Sequence, residues 1–310
     1  MPRSSPFDYL FILRPLILIP VWNFLLIGSY LAGRQGRFTP NIIIGLIIYT
    51  LVMGGVYILN QIMDIETDRL NKKLYLLAEG LVTKRAAYIE IALLWIGALL
   101  LSIRFGWLFV AAIVLSMVLG IMYSVPPVKL KGKPVLDTLA NGLGYGTINF
   151  AVGWLLVRGL EPGTFIRFLP YVFSISAVFI NTTIVDVEGD RKAGELTTGV
   201  LLGPRASHAV STFVMAVAIV LAYIGRDYVC LVPAAVSFPL FVYGAVYALV
   251  HDRVHRRVTI ASFRLPGLIF TLITAFLYPA YIPLLFVVLI GMRVYYKQRF
   301  GMTYPTLSNG

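Results

Sequence analysis

Oxygen-bearing side chains at four-residue spacing mark two places in this 310-residue chain where chemistry could be done. The first reads Asn60-x-x-x-Asp64-x-x-x-Asp68 and closes an apolar run over residues 42–63. The second reads Asp186-x-x-x-Asp190 and closes an apolar run over residues 168–185. Of fourteen Asp and Glu in the chain, eight fall in or just after these clusters: Asp64, Glu66, Asp68, Glu79, Asp186, Glu188, Asp190 and Glu195. Carboxylates beside a bilayer are costly and mark function. Helical residues four apart stack on one face, with Cβ atoms about 5–6 Å apart. Two carboxylates and an amide oxygen can therefore converge, while Glu66 and Glu188 point away. Hard cations such as Mg²⁺ take oxygen ligands, often a carboxylate or two plus substrate phosphates. Acids at a helix C-terminus oppose the helix dipole, and a bound cation offsets them. The two clusters read as a Mg²⁺-diphosphate site.

Basic side chains lie beside the acids: Arg69, Lys72 and Lys73 after the first cluster, Arg191 and Lys192 after the second. An anionic leaving group needs such neutralisation. A third segment, Tyr123-Ser124-Val125-Pro126-Pro127-Val128-Lys129-Leu130-Lys131, carries two prolines that stop a helix and stiffen the turn. It would hold Tyr123 and Ser124 at a cavity mouth, with Lys129 and Lys131 near the phosphates.

These groups must be positioned by membrane helices. The chain is 59% hydrophobic and 13% charged, where a soluble domain has about 25% charged residues. About 20 apolar residues cross a bilayer. Spans are expected over residues 10–31, 42–63, 86–103, 107–123, 136–157, 168–185, 208–224 and 228–250. A final apolar region over 265–295, with Pro266, Pro279 and Pro283, reads as one kinked helix or as a helix and a short second crossing. The fold expected is an all-α bundle of nine or ten spans in a single domain over 1–310. No cleavable signal peptide is evident. Cys230, the single cysteine, excludes an intrachain disulfide and reads as a small buried hydrophobe. The net charge of +12 serves topology and anionic headgroups better than nucleic acid.

The N-terminus and the segments after spans two, four, six and eight hold seventeen of the twenty-six Lys and Arg. Those segments, and both acidic clusters, should face the cytoplasm. With nine spans the basic C-terminal end would lie outside, against that rule; with ten it would lie inside. Asp64 and Asp68 recur 122 residues later as Asp186 and Asp190. Each pair follows the second span of a four-span half, so two pseudo-repeated halves facing one central cavity are expected.

The three motifs together resemble the UbiA superfamily of intramembrane prenyltransferases. The resemblance rests on NQIMDIETD from Asn60 to Asp68, YSVPPVKLK from Tyr123 to Lys131 and DVEGD from Asp186 to Asp190, in that order after spans two, four and six. One departure is that the Arg-Pro pair and Gly found after the first motif in many members is replaced by residues 71–80, which read NKKLYLLAEG. The resemblance implies a helical bundle around a cavity open sideways to lipid. It implies Mg²⁺, two ions with the diphosphate, held by Asn60, Asp64, Asp68, Asp186 and Asp190. It places Tyr123, Ser124 and Lys129 around the diphosphate and acceptor; Arg69, Lys72, Lys131, Arg191 and Lys192 are expected as further substrate contacts from their charge and position beside the motifs. The reaction implied is transfer of a prenyl group, an alkyl group other than methyl, from a prenyl diphosphate to a lipophilic acceptor. A quinone precursor, a tetrapyrrole, an ether lipid, a haem or a carotenoid end would each fit an apolar cavity.

Bond breaking would develop an allylic cation, which aromatic rings can stabilise; Tyr145, Phe150, Trp154 and Phe179 are candidate lining residues. Gly142, Gly144 and Gly146 would tune cavity depth. The alternative is a secondary transporter or ion-coupled carrier, which places its acids near the membrane midplane, whereas these lie at helix ends. The expected location is a prokaryotic plasma membrane, multi-pass, with the active-site loops facing the cytoplasm.

Overall fold

The computed structural model describes residues 5–70 and 76–304. Every regular element among them is helical: α1 (Pro6–Phe11), α2 (Pro15–Gly33), α3 (Pro40–Met63), α4 (Ile65–Leu70), α5 (Lys84–Ser102), α6 (Trp107–Ser124), α7 (Leu136–Leu143), a π-helical turn (Gly144–Asn149), α8 (Phe150–Leu155), α9 (Pro162–Lys192), α10 (Thr198–Ile224), α11 (Tyr228–His251), α12 (Arg256–Leu277) and α13 (Tyr281–Phe300). Local chemistry sets the starts. Thr39 and Thr83 accept the backbone N–H of Ile42 and Ala86 as N-caps of α3 and α5. Proline opens α1, α2, α3 and α9, where its missing N–H would be unpaired anyway.

Eight of these helices are long and apolar enough to cross a bilayer. Their outer faces are apolar as well: Leu93, Trp107, Phe213, Leu249 and Phe276 are all exposed. In hydrocarbon such faces are solvated, and a helix keeps its backbone polar groups paired within itself. The expected span over 136–157 is assembled from α7, the π turn and α8. The apolar region over 265–295 is two helices, α12 and α13, parted at Tyr278–Ala280 beside Pro279.

The two halves are visible in the pairing. α3 packs along α5 and α9 packs along α10, so each acid-bearing helix lies against the next long helix in sequence. The first helices of the halves, α2 and α8, cross at a reciprocal close approach. A Cβ on Gly28 would lie 2.2 Å from the Phe150 carbonyl oxygen, and one on Gly153 would lie 1.8 Å from that of Leu25. Only glycine permits backbones so close. Around this crossing Phe24, Phe150, Trp154, Phe168, Tyr171 and Phe270 form one buried cluster.

Candidate active site

The first acidic motif is carried to the end of α3. There the helix bends: Asp64 has φ −103° and ψ 5°, and α4 begins at Ile65. The hydrogen-bond ladder continues through the bend, with Asp64 N–H donating to Asn60 O at 3.1 Å and Asp68 N–H to Asp64 O at 2.8 Å. Asn60, Asp64 and Asp68 thus keep their four-residue order around a corner rather than on one straight helix. Asp68 is buried, Asp64 is half-buried and Glu66 is exposed. The second motif lies on an uninterrupted helix, since α9 runs on to Lys192. Asp186 is exposed and Asp190 is half-buried. Asp190 accepts the Thr197 hydroxyl at 2.9 Å, and its acidic neighbours are Asp186, Glu195 and Asp137.

The segment between α6 and α7 is fastened to the first motif and to Glu195, the acid that follows the second. Lys131 Nζ donates to Asp64 Oδ1, and Lys129 Nζ pairs with Glu195 Oε1 at 2.8 Å. The two lysines expected near a diphosphate are here paired with acidic side chains. Asp137, at the start of α7, is fully buried. It accepts Thr198 N–H at 2.8 Å, the Thr198 hydroxyl and Thr138 N–H at 2.6 Å. That latch ties α7 to the start of α10 and sets Thr197 beside Asp190.

Next to the acids is a cavity of about 180 Å³. Its wall includes Tyr123, Ser124 and Tyr145, which were expected at the cavity, together with Asn60, Arg14, Tyr49, Tyr57, Asn141 and Asn149. Asn60 Nδ2 donates to the buried Ser124 hydroxyl at 3.3 Å, so the first member of the acidic motif is also a wall of the cavity. Asn141 Nδ2 donates to Tyr123 Oη at 3.2 Å. The Tyr57 and Tyr145 hydroxyls meet at 3.0 Å, and Tyr49 donates to Asn149 Oδ1 at 2.5 Å. The π turn brings Tyr145 and Asn149 to this wall, in keeping with the frequent use of π bulges at functional sites. Asn149 Nδ2 is buried with no partner among the described residues, leaving one donor for a bound molecule.

Several expected residues lie elsewhere. Phe150 and Trp154 belong to the α2–α8–α9 cluster, and Phe179 is not among the residues lining the cavity. Gly142 and Gly146 serve helix packing: added Cβ atoms would meet Ser176 Oγ at 2.3 Å and Val172 N at 2.6 Å. Gly144 does line the cavity. Arg69 donates from Nε to Ala78 O at 2.8 Å, tying α4 to the segment that follows. Arg191 and Lys192 are exposed at the end of α9. Lys72 and Lys73 lie outside the described residues.

The donor set suits Mg²⁺, because Asn60, Asp64, Asp68, Asp186 and Asp190 offer hard oxygens only. Among the described residues no three His, Cys, Asp or Glu side chains already form a closed metal cage. Mg²⁺ is typically bound through one or two carboxylates with phosphate completing its shell.

Comparison with known proteins agrees with this architecture. The chain is 28% identical over 202 residues to digeranylgeranylglyceryl phosphate synthase of Sulfurisphaera tokodaii, covering 63% of this chain and 70% of that one. It is 27% identical over 212 residues to lycopene elongase/hydratase of Haloarcula japonica, covering 65% and 69%. It is 32% identical over 208 residues to 2-acyl-4-prenylphloroglucinol 6-prenyltransferase of Humulus lupulus, covering 62% of this chain but 50% of that one. The fold matches a UbiA homolog from Archaeoglobus fulgidus, solved with GPP and Mg²⁺, at a TM-score of 0.67 and 19% identity over 86% of this chain and 99% of the other. The UbiA prenyltransferase family profile matches residues 21–265, well over half of the sequence. With that match on that fold, the chain belongs to the UbiA prenyltransferase family.

Proposed function

We propose that the protein is a Mg²⁺-dependent prenyltransferase that moves a prenyl group from its diphosphate to a lipophilic acceptor inside the membrane. One observation carries this reading: Asn60 belongs both to the acidic motif and to the cavity wall. A diphosphate at the acids would therefore place its prenyl chain in an apolar, aromatic cavity. Asn60, Asp64, Asp68, Asp186 and Asp190 would hold the metal. When bound, Mg²⁺ supplies charge neutralisation that makes the diphosphate a better leaving group.

The chain's own residues do the rest. Lys129 and Lys131 are within reach of both motifs through Glu195 and Asp64, and can transfer their charge to an arriving diphosphate. Arg14 adds a fixed positive charge at the cavity wall. Tyr57 and Tyr145 line the cavity, where their rings could stabilise positive charge developing on the allylic carbon. Tyr123, held by Asn141, stands beside Ser124 at the junction of acids and cavity. Enclosure by the bundle keeps water from the reacting carbon. We place the motif-bearing loops on the cytoplasmic side, on the distribution of Lys and Arg.

Three acceptor classes are suggested by relatives' names: a glyceryl phosphate lipid, a carotenoid end and an acylphloroglucinol ring. Purified protein in detergent, given radiolabelled geranylgeranyl diphosphate, Mg²⁺ and each acceptor in turn, should yield one prenylated, lipid-soluble product. Absence of any transfer with all acceptor classes, while the protein remains folded, would overturn the reading.

A further inference from the structure

We propose that Asp8, Tyr295 and Arg299 form a positioning clamp through which α13 sets the Arg14 guanidinium at the cavity wall. The Asp8 side chain is fully buried, and a buried carboxylate is tolerated only when paired and hydrogen-bonded. It accepts Tyr295 Oη at 2.6 Å and Arg299 Nη2 at 2.8 Å. It also accepts Ser5 N–H at 2.8 Å, closing the capping box of α1. Tyr295 and Arg299 are four apart and so share one face of α13. A second fixture reinforces the first: the Phe11 ring stacks on Tyr295 with centroids 3.9 Å apart and planes 9° apart.

α1 has six residues, too few for a helix to persist alone. Its placement therefore comes from tertiary contacts, those to α13 among them. Three residues beyond Phe11 stands Arg14, in the left-handed region at φ 56° and ψ 61°. A non-glycine residue persists there where its surroundings over-determine it. Those surroundings are specific. Arg14 N–H donates to Phe11 O at 3.0 Å, and Ile17 N–H to Arg14 O at 2.9 Å. Gln61 Nε2, next to Asn60, holds Ile12 O at 2.8 Å. The elbow between α1 and α2 is thus gripped by α13 on one side and by the motif-bearing α3 on the other. Arg14 is the member of this assembly that lines the cavity, while Asp8, Tyr295 and Arg299 do not. They act through Arg14.

The inference rests on the cavity being the prenyl-transfer site, and a double-mutant cycle separates the two. In full-length protein, Asp8→Asn and Arg299→Gln should lower kcat/KM for the prenyl diphosphate roughly tenfold or more, since small misplacements of a positioned group are costly. Arg299→Lys should recover part of that loss. In an Arg14→Ala background the same substitutions should change kcat/KM less than about twofold, because coupled residues are not additive. Tyr295→Phe, which removes one hydroxyl, carries the test if Asp8→Asn fails to fold. Fully multiplicative losses in the Arg14→Ala background, or unchanged kinetics in folded clamp variants, overturn the clamp alone. Wild-type kinetics for Arg14→Ala overturn both the clamp and the place given to Arg14 in the reaction.

Discussion

The Lys131 ammonium rests on the Asp64 carboxylate, so the segment after α6 covers the acidic motif it is meant to assist. A cation bound at Asp64 and this lysine compete for the same oxygens. Removing the lysine should therefore have two opposite effects. In Lys131→Gln the Mg²⁺ concentration for half-maximal activity should fall, while KM for the prenyl diphosphate should rise. A lost charged hydrogen bond is worth about 1.5–3 kcal/mol, or roughly 10- to 150-fold. Titrating each in turn checks both signs; a rise in the Mg²⁺ requirement would contradict the competition.

The acids themselves should be indispensable. Asp64→Asn or Asp186→Asn should reduce turnover by about 30- to 1,000-fold, equivalent to about 2–4 kcal/mol of transition-state stabilisation. EDTA should abolish activity and added Mg²⁺ should restore it. Full turnover in EDTA, or in the doubly substituted protein, would remove the metal from the reaction.

Tyr57 separates ring from hydroxyl. Its hydroxyl meets Tyr145 at 3.0 Å, and the residue lines the cavity. Tyr57→Phe keeps the ring and should keep most of kcat. Tyr57→Leu removes a cation–π contribution of about 0.5–2 kcal/mol and should slow kcat by roughly 2- to 30-fold. Equal losses in both variants would assign the effect to the hydroxyl.

Asp137 should matter for stability more than for chemistry. It accepts three donors while fully buried, and an alanine there strands them. Unsatisfied buried donors cost about 1–3 kcal/mol. Asp137→Ala should therefore lower the unfolding midpoint in detergent, with Thr197 losing its place on Asp190 as a secondary effect on rate.

The acidic motifs were legible in the sequence because carboxylates at the edge of apolar runs have few other reasons to exist. Their spacing pointed to a hard-cation site as an expectation, and their position marked the ends of the helices that carry them. The bend at Asp64 was not legible, since neither proline nor glycine marks it. The ion pairs of Lys129 and Lys131 depend on how the α6–α7 segment lies across two distant helices, which local sequence does not specify. Tyr49, Tyr57 and Asn149 sit in runs where aromatic and amide side chains serve packing equally well, so only the tertiary arrangement singles them out. Arg14 was absorbed into the charge count that sets orientation. Phe150 and Trp154 show the converse, rings that fill a helix crossing instead of a cavity. At the end of α7 and in the π turn the sequence carries three alternate glycines; Gly142 and Gly146 serve close packing and Gly144 lines the cavity.

Arg299 reaches Asp8 at 2.8 Å, which would put the two residues on one face of a bilayer. A path that leaves one face and returns to it has made an even number of passages. This parity bears on the long apolar stretch at the end of the chain. Counting α7 with α8 as one passage and α13 as another, we infer ten passages between residues 8 and 299. Arg293, Lys297 and Arg299 then join the face that already holds seventeen of the Lys and Arg, and the charge imbalance widens. Single cysteines at Ser5 and Met302, with Cys230 replaced by serine, should behave alike toward an impermeant thiol reagent in intact cells, both protected until lysis. Labelling of one without the other would make the count odd and separate the two ends that the ion pair joins.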